Sequence, residues 1–350
     1  YSHGSVVHRV SVSDDSSYVL SNPAGIECSV ETLGEGMSSG RAKASITYSR
    51  CFSFLRPSLI GGGNRGEEEY ALNSKSVSDE HRLALLEPPT KRVRMVLDTD
   101  TYNEIDDQFA LVYALLSPDQ LDLQAVYAAP FHNPRSSGPA DGMEKSYEEI
   151  LRLLELCGRS AQDFAFKGCT AYLSPDGEPE RSPAVLDLVE RALAASADDP
   201  LYVVAVGAIT NVASAMLLEP RILERIVVVW LGGHALHFPH TKEFNLQQDV
   251  LGARTILDSG VPFVHVPCMG VTTHLTTTVP EIERYVAGQG AVGDYLAKIF
   301  KEYLGDHFAR SKVLWDVAAV AYLVNSAWLP NTLVHSPRLT DQLTWSLDHT

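Results

Sequence analysis

Four carboxylates, Asp98, Asp100, Asp106 and Asp107, crowd the segment Val96-Leu97-Asp98-Thr99-Asp100-Thr101-Tyr102-Asn103-Glu104-Ile105-Asp106-Asp107. A single aspartate here would be explained as a helix cap. Four so close together repel one another unless a cation or shared protons compensate. Ligands that are all oxygen select a hard divalent ion such as Ca²⁺ or Mg²⁺. The apolar Val93-Arg94-Met95-Val96-Leu97 that precedes them reads as a buried strand, and a helix is expected from about Asp107 to Leu116. In a strand Asp98 and Asp100 would face the same side. Asp106 and Asp107 would stand at a helix N-terminus, whose macrodipole favours negative charge.

Such a strand, loop and helix position ligands when they form the carboxyl edge of an open α/β sheet. The rest of the chain supplies the repeats this needs. Strand-like runs at Leu123–Tyr127, Leu201–Val206 and Ile226–Leu231 alternate with helical periods at Asp141–Leu156, Asn211–Leu218, Asp249–Leu257, Glu281–Tyr303 and Trp315–Val324. Strands apolar throughout are covered on both faces, as in a mainly parallel, doubly wound (Rossmann-like) α/β sheet. Residues 1–90 are rich in Ser and Gly, contain Gly61-Gly62-Gly63 and Glu67-Glu68-Glu69, and show no sustained period. They read as a disordered extension ahead of a catalytic domain over 91–350, with a truncated C-terminus left open.

The formal charge of -16 and the pI near 5.1 argue against a protein that grips nucleic-acid backbone. No apolar run reaches the roughly 18 residues of a membrane helix, the longest being Val317–Val324. Both observations fit a cytoplasmic protein. Cys28, Cys51, Cys157, Cys169 and Cys268 form no CxxC pair and read as reduced thiols.

The acidic segment resembles the DxDxGxDDxxAL signature of nucleoside hydrolases, in the form Asp98-Thr99-Asp100 and then Asp106-Asp107-Gln108-Phe109-Ala110-Leu111. Further patterns follow in order. Val206-Gly207-Ala208-Ile209-Thr210-Asn211 resembles that family's PxGxLTN turn, and Leu231-Gly232-Gly233 its second glycine turn. Glu243-Phe244-Asn245 matches its EFN tripeptide, and Asp316 stands where the family has a late metal-binding aspartate.

The resemblance implies Ca²⁺ held by Asp100, Asp107, Asp316 and the Val206 carbonyl. It implies a Ca-bound water, activated by Asp100 as general base, that hydrolyses the N-glycosidic bond of a ribonucleoside to free base and ribose. Asp106, Asn133, Glu243 and Asn245 would hold the ribose, with Asp98 supporting the other carboxylates. By analogy the chain would act on a small nucleoside as a homo-oligomer.

Three positions depart from the pattern. Thr101–Ile105 gives the metal loop five residues where the family has three, so Asn103 or Glu104 could reach the site. Trp315 precedes the late aspartate where many members have a histidine acid, and it either stacks on the base or packs the core. The loop His234-Ala235-Leu236-His237-Phe238-Pro239-His240 carries three imidazoles, one of which could protonate the leaving base. Arg135 could meet a charged substrate group. Two rival readings stay open: a non-catalytic nucleoside- or sugar-binding protein on the same scaffold, and a haloacid-dehalogenase-like phosphatase with Asp98 as nucleophile.

Overall fold

The structure, a computed structural model, describes residues 5–7 and 77–347. Its centre is a six-stranded sheet. The strands are β1 (Val93–Thr99), β2 (Leu121–Ala128), β3 (Ala165–Lys167), β4 (Leu201–Ala205), β5 (Ile226–Leu231) and β6 (Phe263–Val266). All neighbouring pairs are parallel, in the order β3-β2-β1-β4-β5-β6. The chain builds outward from β1 through β2 to β3, then returns to lay β4 on the other side of β1. A crevice therefore opens between the carboxyl ends of β1 and β4, the switch point at which such sheets bind ligands.

The strand sequences explain the double layer. In β5 the β-branched run Ile226-Val227-Val228-Val229 is wholly buried, and alternate residues enter opposite cores. Met95, Leu97, Val204 and Val229 face one core, and Val96, Val203, Val228 and Trp230 the other. The first core is covered by α2 (Asp106–Leu115), α3 (Pro139–Leu156), α9 (Gly290–Leu304) and α10 (Val317–Val324). The second is covered by α4 (Pro183–Ala194), α5 (Thr210–Leu218) and α7 (Val250–Ser259). Trp230 is fully buried and its Nε1 donates to the Gly207 carbonyl at 3.1 Å, which ties β5 to the turn after β4. Truncating such a side chain to alanine costs about 3–5 kcal/mol.

The packed chain starts earlier than the change of texture at Arg92. Helix α1 (Asp79–Leu85) is capped by Ser78, whose Oγ accepts from the His81 N–H, and Leu85 and Leu86 are buried in the first core. Arg82 is buried too, donating from Nε to the Gly260 carbonyl at 2.7 Å. Strand Ser5–Val7 pairs antiparallel with Leu333–His335. The remainder of the expected extension lies outside the described residues, as do Cys28 and Cys51. Cys157, Cys169 and Cys268 are free thiols.

The single helix expected over Glu281–Tyr303 is two, α8 (Val279–Tyr285) and α9, because Gly288 and Gly290 take φ of +77° and +78° between them. The short strands β3 and β6 carry too little periodic signal to be predicted, whereas helix α4 went unforeseen although its Ser182 cap and the buried Val185, Leu188 and Ala192 at helical spacing mark it. Among the described residues, no helix is long and apolar enough to cross a membrane.

Candidate active site

Each acidic residue owes its place to the end of a strand or helix. β1 stops at Thr99, so Asp98 is the last-but-one strand residue and Asp100 begins the loop. The loop returns through Asn103, whose N–H donates to the Asp100 carbonyl at 2.7 Å, and enters α2 at Asp106 and Asp107. Asp316 is the N-terminal flank of α10, and neither α2 nor α10 has a side-chain cap. Two helix N-termini thus present their free N–H groups and positive ends to one cluster of aspartates.

Asp106, Asp107 and Asp316 are buried, and a carboxylate oxygen from each lies within 4.8 Å of the others. Asp107 accepts from Thr99 Oγ1 at 2.6 Å. Asp100 is wholly buried, and neither of its oxygens has a hydrogen-bond donor. Its polar neighbour is the Asp107 carboxylate, with which it can share a bond only when one of the two is protonated. Burial first, then the charge of Asp107, holds Asp100 well above the usual carboxylate range. Burial pushes Asp107 up to about 7, with Asp106 adding to the rise. Asp316 is raised by burial and by the charges of Asp106, Asp107 and Asp100. Buried carboxylates this close, two of their oxygens without a partner, suit a hard divalent cation.

Asp98 stands behind them. Its Oδ1 accepts from Asn211 Nδ2 at 2.7 Å, and Asn211 also receives the Cys169 N–H at 2.7 Å and donates to the Ala128 carbonyl at 3.3 Å. One side chain at the start of α5 therefore fastens β1, β2 and the turn after β3.

The cleft above the cluster has a volume of about 400 Å³. Its acidic end has Asp106, Asp107 and Asp316, with Val206 and Asn245. Elsewhere its wall includes Leu231, Phe244, Met269 and Trp315. Asn245 Nδ2 donates to the Val206 and Leu231 carbonyls at 2.9 and 3.0 Å. Glu243 caps the short helix α6 (Phe244–Gln248), accepting from the N–H groups of Gly233, Asn245 and Leu246 at 2.8, 2.9 and 3.0 Å. Burial raises its carboxyl, against those three bonds.

The other expected residues are distributed unevenly. Trp315 lines the cleft and also packs against the first core. His234 lines the cleft, whereas His237 and His240 are not among its lining residues. The His240 ring centroid lies 5.6 Å from that of His234, and His237 packs on Phe238 at 4.9 Å. Asn133 also stays off the wall, its Nδ2 donating to Asn103 Oδ1 at 2.7 Å. Asn103 and Glu104 of the lengthened loop do reach the cleft. Arg135 is engaged in holding that loop, through the Asn103 and Glu104 carbonyls at 3.3 and 3.2 Å and by stacking 4.3 Å over the Tyr102 ring.

Lys312 was not foreseen. Its Nζ lies 2.7 Å from Glu104 Oε2 and 3.2 Å from Asp106 Oδ1. A lone lysine in a two-residue strand carries no pattern in the sequence, and only the fold brings it to the cluster.

The sequence model of the inosine-uridine preferring nucleoside hydrolases matches residues 95–344, most of the chain. The chain is 25% identical over 258 residues to the non-specific ribonucleoside hydrolase RihC of Salmonella paratyphi A, a match covering 67% of this chain and 80% of that protein. It is 28% identical over 155 residues to the pyrimidine-specific ribonucleoside hydrolase RihB of Escherichia coli O1:K1, covering 42% of this chain and 49% of the relative. That match therefore spans about half the relative's length. A solved inosine-guanosine nucleoside hydrolase shares the fold at a TM-score of 0.54 and 20% identity, covering 67% of this chain and 80% of that one. With the family's sequence pattern running from β1 past α10, and with its acidic motifs gathered at the switch point of the sheet, the chain belongs to the inosine-uridine preferring nucleoside hydrolase family.

Proposed function

We propose that the chain hydrolyses the N-glycosidic bond of ribonucleosides to free base and ribose, with Asp100 as general base. The observation that carries this reading is the Asp100 carboxylate, buried beside Asp107 with both oxygens unpartnered. A buried carboxylate with no competing donor is placed to accept the proton of an attacking water.

Asp100, Asp107, Asp316 and the Val206 carbonyl would hold a hard divalent ion such as Ca²⁺. When bound, the ion supplies the positive charge that offsets the crowded carboxylates and makes water easier to deprotonate. Asp106, Glu243 and Asn245 would hold the sugar. Asn245 gives its N–H groups to two carbonyls, which leaves Oδ1 to accept from a hydroxyl. Glu243 accepts from three backbone N–H groups and, as a carboxylate, keeps capacity for another donor. Asn133 would act through Asn103 rather than on the ribose. As the glycosidic bond breaks, positive charge grows on the sugar, and these anionic and amide oxygens stabilise it.

The departing base would meet Trp315 and His234. The His234 Nδ1 accepts from the Met269 N–H at 3.3 Å, so the neutral ring carries its proton on Nε2 and can donate to the base. Burial lowers the pKa of His234, with His240 adding to the fall, so the neutral ring would stabilise the departing base by a hydrogen bond from Nε2 rather than by transferring its proton.

The test is release of ribose from inosine, uridine, adenosine and guanosine in the presence of Ca²⁺ by the full chain and its Asp100→Ala variant. Release that disappears in the variant, by about a thousandfold or more, supports the reading. Release unchanged in the variant removes Asp100 from the chemistry. No release from any nucleoside, with Ca²⁺ still raising the thermal midpoint, would favour a binding protein on this scaffold.

A further inference from the structure

Lys312 is a buried cation beside the acidic cluster, and its surroundings account for all of its protons. It lies in the strand Lys312–Val313, which pairs antiparallel with Thr276–Thr277. Its Nζ contacts Glu104 Oε2 at 2.7 Å, Asp106 Oδ1 at 3.2 Å and the Val313 carbonyl at 2.8 Å. An ammonium has three N–H groups, and here each has an acceptor. Glu104 and Asp106 both line the cleft.

Asp106, Asp107 and Asp316 are close enough for one ion to touch all three. Their environments differ, however. Asp107 bonds to a neutral hydroxyl, that of Thr99, whereas Asp106 is paired with a full positive charge. A divalent ion that drew in Asp106 would have to share it with the Lys312 ammonium, and the two cations repel strongly in a partly desolvated site.

We propose that Lys312 is a positioning residue that draws Asp106 toward itself and away from a bound cation, leaving Asp107 and Asp316 to hold the ion and Asp106 to accept from the sugar hydroxyls. The same ammonium fixes Glu104, so the lengthened loop and the sugar-facing carboxylate are set by one contact. This inference rests on the functional reading above, in which the cation and the sugar occupy adjoining parts of the cleft.

The two roles predict changes of opposite sign, which a merely structural lysine would not give. Removing the ammonium releases Asp106 toward the ion and takes away a neighbouring positive charge. In Lys312→Gln, Ca²⁺ measured by calorimetry without substrate should bind about fivefold tighter or more. With Ca²⁺ saturating, KM for the best nucleoside should rise about tenfold while kcat stays within about threefold. Lys312→Arg, which keeps the charge, should return Ca²⁺ affinity toward the wild-type value. If Lys312→Gln does not fold, Lys312→Gln/Glu104→Gln leaves one fewer charge unpaired at the cluster, and the same two changes are expected relative to Glu104→Gln alone.

Weaker Ca²⁺ binding together with a raised KM, or an unchanged KM, overturns the inference. A wild type that binds no Ca²⁺ overturns it along with the reading on which it rests. A wild type that binds Ca²⁺ but releases no ribose overturns the functional reading alone, and the Ca²⁺ arm then decides the role of Lys312.

Discussion

Gly207 sets how near the chain after β4 can come to Asp100. A Cβ at this position would lie 3.1 Å from Asp100 Cγ and 3.1 Å from Ala129 Cβ, closer than ordinary contacts, so the neighbours would have to yield by a few tenths of an ångström. Gly207→Ala should therefore lower kcat by about tenfold, since small misplacements of a catalytic group are costly. Its thermal midpoint should fall only modestly, and steady-state kinetics with a melting curve checks both. At the other end of the reaction, His234→Ala would remove the proposed hydrogen-bond donor to the departing base. Hydrolysis of an unactivated nucleoside should fall about a hundredfold. A riboside whose leaving group departs readily as an anion should lose far less. Equal losses on both substrates would mean that His234 serves the sugar or the fold. Of the three imidazoles in that loop the sequence could not choose one, because the choice depends on the turn after β5 and on the Met269 N–H, which arrives from beyond β6.

Among the elements, two devices hold the carboxyl edge together. Asn211, on the first turn of α5, ties β1, β2 and the turn after β3 through Asp98, Ala128 and Cys169. Asn211→Ala would leave those buried groups without their partner, and urea denaturation should show a loss of about 3 kcal/mol. The second device is Arg135, which clamps the lengthened loop by two carbonyls and the Tyr102 ring. Because that clamp is at the surface, Arg135→Ala should change stability by only about 0.5 kcal/mol. The loop carries Asn103 and Glu104 into the cleft, so KM for the nucleoside should nevertheless rise several-fold, as steady-state kinetics will register. Strands β1, β4 and β5 were legible because each is a dense apolar run. The α8–α9 break was not legible as such. Its glycines stand within an otherwise helical pattern, and only their positive φ turns them into a boundary.

For the whole molecule, the buried carboxylates couple stability to pH and, on the proposed reading, to a cation. Burial pushes Asp98 and Asp107 up to about 7 in the folded state, against about 4 for an aspartate in water. A raised acid pKa contributes stability that is fully present below pH ~4 and is lost as pH climbs through about 7. The cation-free protein should accordingly lose this contribution between those values. Ca²⁺ held as proposed would bind the ionised carboxylates and displace their protons, so it should restore more stability at pH 8 than at pH 5. Melting curves with Ca²⁺ and with a chelator at both values provide the check. An equal Ca²⁺ increment at the two values would show that the cluster does not bind the ion through ionised carboxylates.

The sequence by itself determined the fold class and the residues of the acidic edge. Apolar runs bounded by polar turns specify buried parallel strands whatever the loops do, and a dense group of aspartates after such a run calls for a cation or shared protons to offset its charge. Five short patterns in order then indicated the family. Only the tertiary structure decided which of those residues share a site and what surrounds them. Asp316 meets Asp106 and Asp107 because α10 packs against α2, and Lys312 enters the cluster across a separation of 206 residues. Asn133 and Arg135 turn out to hold the loop, and His237 and His240 stand off the cleft wall. Such assignments depend on side-chain directions and on distances of a few ångströms between segments far apart in the chain. Local sequence pattern fixes the period of an element, but it does not fix the neighbour across which its side chains close.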